Sequence, residues 1–184
     1  MQFYDLEEVP ARKRFKSVLR WAVSICSVLA LAVFVVIMYG DRAAMSGQSM
    51  EPVLSDGDVV LLDKLCYDIS EPARFDVIAF SSGQDDTKVY IKRIIGLPGE
   101  TVTIADGQVY IDGEPLEYDL PLITSAGLAA DGVTLGEGEY FVLGDAPDTS
   151  EDSRFSSIGN VTLDQIWGKV WLRISPLSSF GTVK

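Results

Sequence analysis

Few residues of this 184-residue chain can do acid–base chemistry, because it contains no histidine. That excludes a Ser-His-Asp triad and removes the commonest side-chain ligand of zinc and other transition metals. Proton transfer falls to Lys, a carboxylate, Tyr or Cys. Three stretches hold candidates. Ser46-Gly47-Gln48-Ser49-Met50-Glu51-Pro52 offers Ser49 in a glycine-rich bend. Lys92 offers an amine between Ile91 and Arg93 in a run that continues Ile94-Ile95. Gly144 to Arg154 reads Gly-Asp-Ala-Pro-Asp-Thr-Ser-Glu-Asp-Ser-Arg, a polar loop carrying Ser150, Asp152 and Arg154.

A serine nucleophile without an imidazole needs another base. A free lysine has a pKa near 10.4, so at pH 7 only about one in 2,500 is neutral. Burial among apolar side chains lowers that pKa by roughly 3 to 5 units, so Lys92 serves as a base only if it is buried. In the polar loop, Ser150 is of a type to hydrogen-bond such an amine, and Asp152 and Arg154 can form a structural ion pair. Each stretch also has a plainer reading. Ser and Gly are ordinary turn formers, Lys88, Lys92 and Arg93 can be solvated strand charges, and a loop rich in Asp and Ser is commonly a surface turn.

The elements that must position these groups change character near residue 40. Trp21 to Gly40 is twenty residues without a charge, rich in Val, Leu, Ile and Ala. As a helix it spans about 30 Å, the thickness of a bilayer's hydrocarbon core. Arg12, Lys13, Arg14, Lys16 and Arg20 precede it and only Arg42 follows closely. The positive-inside rule then makes residues 1–20 a cytoplasmic tail, 21–40 a transmembrane helix and 41–184 an extracytoplasmic domain. The apolar run is longer than a signal-peptide core and is followed by Asp41 and Arg42 instead of a small-residue cleavage site, which favours an uncleaved anchor in the lipid bilayer.

Beyond the anchor the pattern is that of strands. Val59–Leu62, Phe75–Phe80, Val89–Ile95, Tyr140–Leu143 and Lys169–Ile174 are short β-branched and aromatic runs bounded by Gly, Asp, Ser and Pro. Thr101–Ile104 and Gln108–Ile111 flank Ala-Asp-Gly as a hairpin, and Leu163–Trp167 suits one helical turn. The fold class expected is mostly β: an N-terminal transmembrane helix, then an antiparallel β-sheet domain in which residues 100–138 form a small β cap excursion. The net charge of −12 conceals −14 after residue 40, where ten Lys and Arg face 24 Asp and Glu, and so acidic a domain argues against nucleic acid. Cys26 lies in the apolar run and Cys66 well beyond it, so no structural disulfide is expected.

Taken together, Ser49-Met50-Glu51-Pro52 after an anchor, Lys92-Arg93-Ile94-Ile95-Gly96-Leu97-Pro98-Gly99-Glu100, and Gly144-Asp145 followed by Ser150, Asp152, Ser153 and Arg154 resemble the conserved boxes of type I signal peptidases, in order and spacing. The resemblance implies a membrane-bound Ser/Lys endopeptidase that removes signal peptides from exported preproteins at the outer face of the cytoplasmic membrane, after small residues at −3 and −1. By position it makes Ser49 the nucleophile and oxyanion amide, and Lys92 the general base. Ser150 then orients the lysine, and Asp152 and Arg154 support the site. It implies no metal and no organic cofactor. Met50, beside Ser49, and Ile91 are the expected pocket residues. The chain departs from the family at Gly47, where some members carry a donor serine, at Ala146-Pro147 in place of Asn-Arg, and at Val53 in place of Thr. The competing reading from another class is a catalytically silent, membrane-tethered homologue that assists assembly of surface proteins or pili.

Overall fold

A computed structural model describes residues 11–82 and 85–183. They divide into two compact units, one ending at Gly40 and one beginning at Asp41. The first is helix α1, Ala11–Tyr39. Within it Phe15–Phe34 has a mean hydropathy of 2.0 and is long and apolar enough to cross a membrane. The helix starts ten residues before the apolar run, inside the expected tail, since Lys, Arg and Leu are good helix formers and no Gly or Pro interrupts them before Gly40. Residues 1–10 of that tail lie outside the described residues.

The second unit is antiparallel throughout. In chain order its main elements are β1 (Asp41–Ala44), β2 (Val59–Asp63), α2 (Cys66–Ile69), β3 (Val77–Ser82), β4 (Asp85–Gly96), β5 (Thr101–Ala105), β6 (Gln108–Ile111), β7 (Glu114–Pro115), β8 (Val133–Thr134), β9 (Glu139–Leu143), β10 (Val161–Thr162), β11 (Ile166–Ser175) and β12 (Gly181–Thr182). The larger sheet runs β1-β2-β11-β3-β4-β9-β10, with β12 on β11; the smaller runs β7-β6-β5-β8.

The smaller sheet is built on tight turns. Ala105 pairs with Gln108, leaving Asp106 (φ 51°) and Gly107 (φ 77°) as the loop. Positive φ at both positions is a type I′ turn, whose twist matches the strands. Asp112-Gly113 repeats the device between β6 and β7, which the sequence pattern alone did not bring out. Val102, Ile104 and Val109 of this sheet pack on Ile95, Phe141 and Leu143 of the larger one, so the excursion shares a core with the strand that carries Lys92.

Several boundaries differ from the sequence pattern: β4 starts at Asp85 and not Val89, and β11 runs from Ile166 to Ser175, beyond Lys169–Ile174 at both ends. The strand expected from Phe75 begins at Val77, because Phe75 is in the left-handed region (φ 72°). Leu163–Gln165 is a single 3-10 turn capped reciprocally by Thr162 and Gln165, and Ile166 already belongs to β11. Strand β1, Asp-Arg-Ala-Ala, carries no β-branched residue to announce it; its register on β2 (Asp41 to Leu62, Ala44 to Val59) supplies the hydrogen bonds instead.

Candidate active site

Ser49 sits in the turn after β1, buried at 5% exposure. Several bonds hold that turn. The Met45 amide donates to the Asp58 carbonyl at 2.7 Å, the Gly47 amide to Asp56 Oδ1 at 2.7 Å, and the Leu54 amide to the Met50 carbonyl at 2.8 Å. From the polar loop, the Ala146 amide donates to the Ser49 carbonyl at 3.0 Å. The Ser49 amide has no protein acceptor among the described residues, whereas the Gly47 amide is taken by Asp56.

Lys92 lies on β4, paired with Ile78 of β3 and only 4% exposed. Its Nζ is 2.5 Å from Ser49 Oγ. Burial pushes the amine down from its ordinary 10.5 to about 8, against the opposing pull of the Asp152 and Glu151 carboxylates. Roughly a tenth of such amines are neutral at pH 7, against one in 2,500 for free lysine. The solvated-charge reading therefore fits Lys88, which is exposed, but not Lys92 or Arg93.

Two buried ion pairs frame this contact. Arg93 donates through Nε and Nη2 to the Asp145 carboxylate at 2.7 and 2.6 Å and through Nη1 to the Phe75 carbonyl at 2.8 Å. Arg154 donates through Nε to Asp152 Oδ1 at 2.8 Å and also to the carbonyls of Ser125 and Pro147, at 3.0 and 2.6 Å. One guanidinium thus ties the loop to itself and to the chain at residue 125. Asp152 in turn accepts from the Gly144 amide at 3.2 Å. The Val142 amide donates to Ser153 Oγ at 2.9 Å, folding the loop back on β9. Gly144 must lack a side chain, since a Cβ there would overlap the Ser49 carbonyl and the Ser150 hydroxyl.

The structure brings Ser49, Lys92, Asp152 and Arg154 together as a cluster. Ser150 is buried beside it, but its hydroxyl has no hydrogen-bond partner among the described residues, so the bond expected to the Lys92 amine is not formed here. The two expected pocket residues part company. Ile91 lines a groove of about 540 Å³ that also contains Ser49 and Lys92. Met50 is fully buried in the core with Leu54, Val60 and Ala79 and lines no part of that groove, because the turn after Ser49 directs it inward. Met45, two residues beyond β1, lines it instead. Sequence reasoning left Met45 and Asp145 without a role; the apolar Met45 before a Ser-Gly bend, and an Asp beside the needed Gly144, were the available signals.

The groove lies along an open strand edge. β4 pairs with β9 only from Arg93 onward, leaving residues 88–92 unpaired on that side, and residues 42–48 at and after β1 form the opposite wall. An extended peptide has backbone donors and acceptors waiting on β4 and the Ser49–Lys92 contact at the end of them.

Comparison with known proteins places the chain in a family. The profile of the family described as "Signal peptidase, peptidase S26" matches residues 18–175. A signal peptidase I of Bacillus caldolyticus is 34% identical over 175 residues, covering 87% of this chain and 91% of that protein. A signal peptidase IB of Staphylococcus aureus (strain COL) is 31% identical over 182 residues, covering 90% and 93%. A crystal structure of a signal peptidase I from Enterococcus faecalis V583 aligns at 36% identity and a TM-score of 0.47, over 55% of this chain and 98% of that one. With a family match across most of its length and relatives above 30% identity along nearly all of theirs, the chain belongs to the signal peptidase family, peptidase S26.

Proposed function

We propose that this chain is a membrane-anchored serine endopeptidase that cleaves N-terminal signal peptides from exported preproteins, with Ser49 as nucleophile and Lys92 as general base. The observation that carries the reading is the buried amine 2.5 Å from the serine hydroxyl, with its pKa brought down to about 8. Neutral Lys92 accepts the Ser49 proton as Oγ bonds to the scissile carbonyl carbon. The Ser49 amide, which has no protein acceptor among the described residues, donates to the oxyanion. As the C–N bond breaks, the Lys92 ammonium returns that proton to the leaving amine. Lys92 then takes a proton from water as it attacks the ester, and restores it to Ser49 Oγ when the acyl C–O bond breaks. No step requires a metal or cofactor.

The substrate adds as a strand along the open edge of β4, and the side chains of Ile91, Met45 and Ala43 narrow the groove toward small residues at −3 and −1. Helix α1 anchors the chain in the lipid bilayer, with the basic residues 12–20 on the cytoplasmic side and residues 41–184 outside. Asp152 and Arg154 support the loop that meets Ser49. Ser150, with its hydroxyl unpartnered and buried, is left to turn toward the Lys92 amine when substrate excludes water.

The full chain in detergent or vesicles, given a preprotein with Ala at −3 and −1, is expected to release a mature protein whose N-terminus, read by mass spectrometry, follows the −1 Ala. Replacing that Ala by Leu should slow cleavage at least about tenfold through steric exclusion. A preprotein left intact would instead favour the silent, assembly-assisting homologue.

A further inference from the structure

The groove has a charged rim that the proposed chemistry does not use. Lys88 lies on β4 four residues before Lys92, about 13 Å away along the open edge, at the irregularity where the pairing with β3 shifts between Ser81 and Ser82. The Lys88 ammonium sits 4.4 Å above the Tyr90 ring and 3.5 Å from Glu151 Oε2. Both partners of this pair are about half exposed, with side-chain exposures of 54% and 49%. Both line the groove, as does Arg42 on the opposite wall, which makes no ion pair among the described residues.

The two ends of the pair are not equally available. The other oxygen of Glu151 accepts from Ser157 Oγ at 2.8 Å, which holds the carboxylate in place and keeps it ionised. Among the described residues Lys88 is held by a long contact at the limit of an ion pair and by the Tyr90 side chain. Exposed pairs of this kind contribute little, so an incoming carboxylate exchanges for Glu151 at small cost. With Arg42 on the groove as well, the described residues of the rim carry two cations to one carboxylate, on a domain whose net charge is −14.

We infer that Lys88 is a specificity-determining residue: it selects substrates with an acidic side chain about four residues from the scissile bond. This rests on the reading of the groove as the site of peptide cleavage. An extended substrate covers about 3.3 Å per residue, so with its scissile bond at Ser49 a residue four positions away reaches the Lys88 ammonium. There a carboxylate meets Lys88, with Arg42 across the groove, while a basic side chain meets both as like charges.

The test is a set of preprotein-derived substrates carrying Asp, Asn or Lys at −5, −4, +3 or +4, cleaved by the full chain in detergent at 50 mM NaCl. At one of these positions Asp is expected to exceed Lys in kcat/KM by about five- to tenfold, with Asn between them. The ratio should fall toward one in 0.5 M NaCl, where screening acts within about 4 Å. Lys88→Glu should invert it, and Lys88→Met should bring it near one. Cleavage of every substrate with Asp-to-Lys ratios within twofold, or a preference that survives Lys88→Glu, overturns the inference and leaves the peptidase reading intact. Cleavage of none of them overturns both.

Discussion

Ser49→Ala and Lys92→Met should each lower kcat at least about 1,000-fold, and the double variant should lose no more than either alone. The nucleophile and its base act as a unit, so removing one removes the contribution of the other. The lysine variant carries a second expectation of opposite sign. Its folded pKa, about 8, lies below the ordinary 10.5. The unfolded chain therefore binds more protons between those two values, and stability rises with pH across that window. Below about pH 8 the ammonium is charged in both states, and the folded state bears the cost of burying it, about 3 kcal/mol at 1.36 kcal/mol per unit of pKa. Lys92→Met removes that cost. It should be more stable than the wild type at pH 7 by up to about 3 kcal/mol, with the gap closing as pH rises from 8 toward 10.5. Denaturant unfolding at several pH values reads this directly. A variant that is inactive because it is unfolded would contradict it, as would one that is folded and active.

Asp145→Ala has the largest expected effect on stability. The Arg93 guanidinium is 1% exposed and the Asp145 carboxylate 7%, joined by two bonds and backed by the Tyr118 ring 5.5 Å away. Removing the carboxylate takes both of its charge-assisted bonds from a buried guanidinium, a loss on the order of 3 to 5 kcal/mol. For a domain of this size that lowers the melting temperature by roughly 10 °C. Replacing both partners, as Arg93→Met with Asp145→Ala, should cost less than Asp145→Ala alone, since no buried charge remains. The pair joins the strand of Lys92 to the loop that touches the Ser49 carbonyl, so activity should fall with it. A loss under 1 kcal/mol for Asp145→Ala would show that the pair does not hold β4 to that loop.

The site was legible largely because its chemistry is concentrated in three short stretches. With histidine absent, Ser49 and Lys92 were candidates beside plainer readings, and the family resemblance gave them the roles of nucleophile and base; the burial those roles require was not visible in the sequence, and the sheet supplies it by placing Lys92 between β3 and the Ser49 turn. Asp152 and Arg154 are two residues apart, so their pairing is a local matter that a sequence displays. Met50 was misplaced because adjacency to Ser49 says nothing about which way a side chain turns, and the bond from the Leu54 amide to the Met50 carbonyl belongs to a turn that directs Met50 into the core. Ser150 was read as a partner of the lysine, but its buried hydroxyl has no hydrogen-bond partner among the described residues. The groove walls were the least visible part. They depend on where β9 stops pairing with β4, and on a strand, Asp41–Ala44, whose residues carry no strand signature.

The most direct test of the Ser49–Lys92 account is the pH dependence of kcat/KM for preprotein cleavage by the wild-type chain. A neutral lysine base predicts a rate that rises tenfold per pH unit up to a pKa of about 8 and then levels, so that cleavage at pH 6 runs at about 1% of the plateau. A rate unchanged from pH 5 to pH 8 would contradict it, because an amine held at about 8 is almost wholly protonated at pH 5.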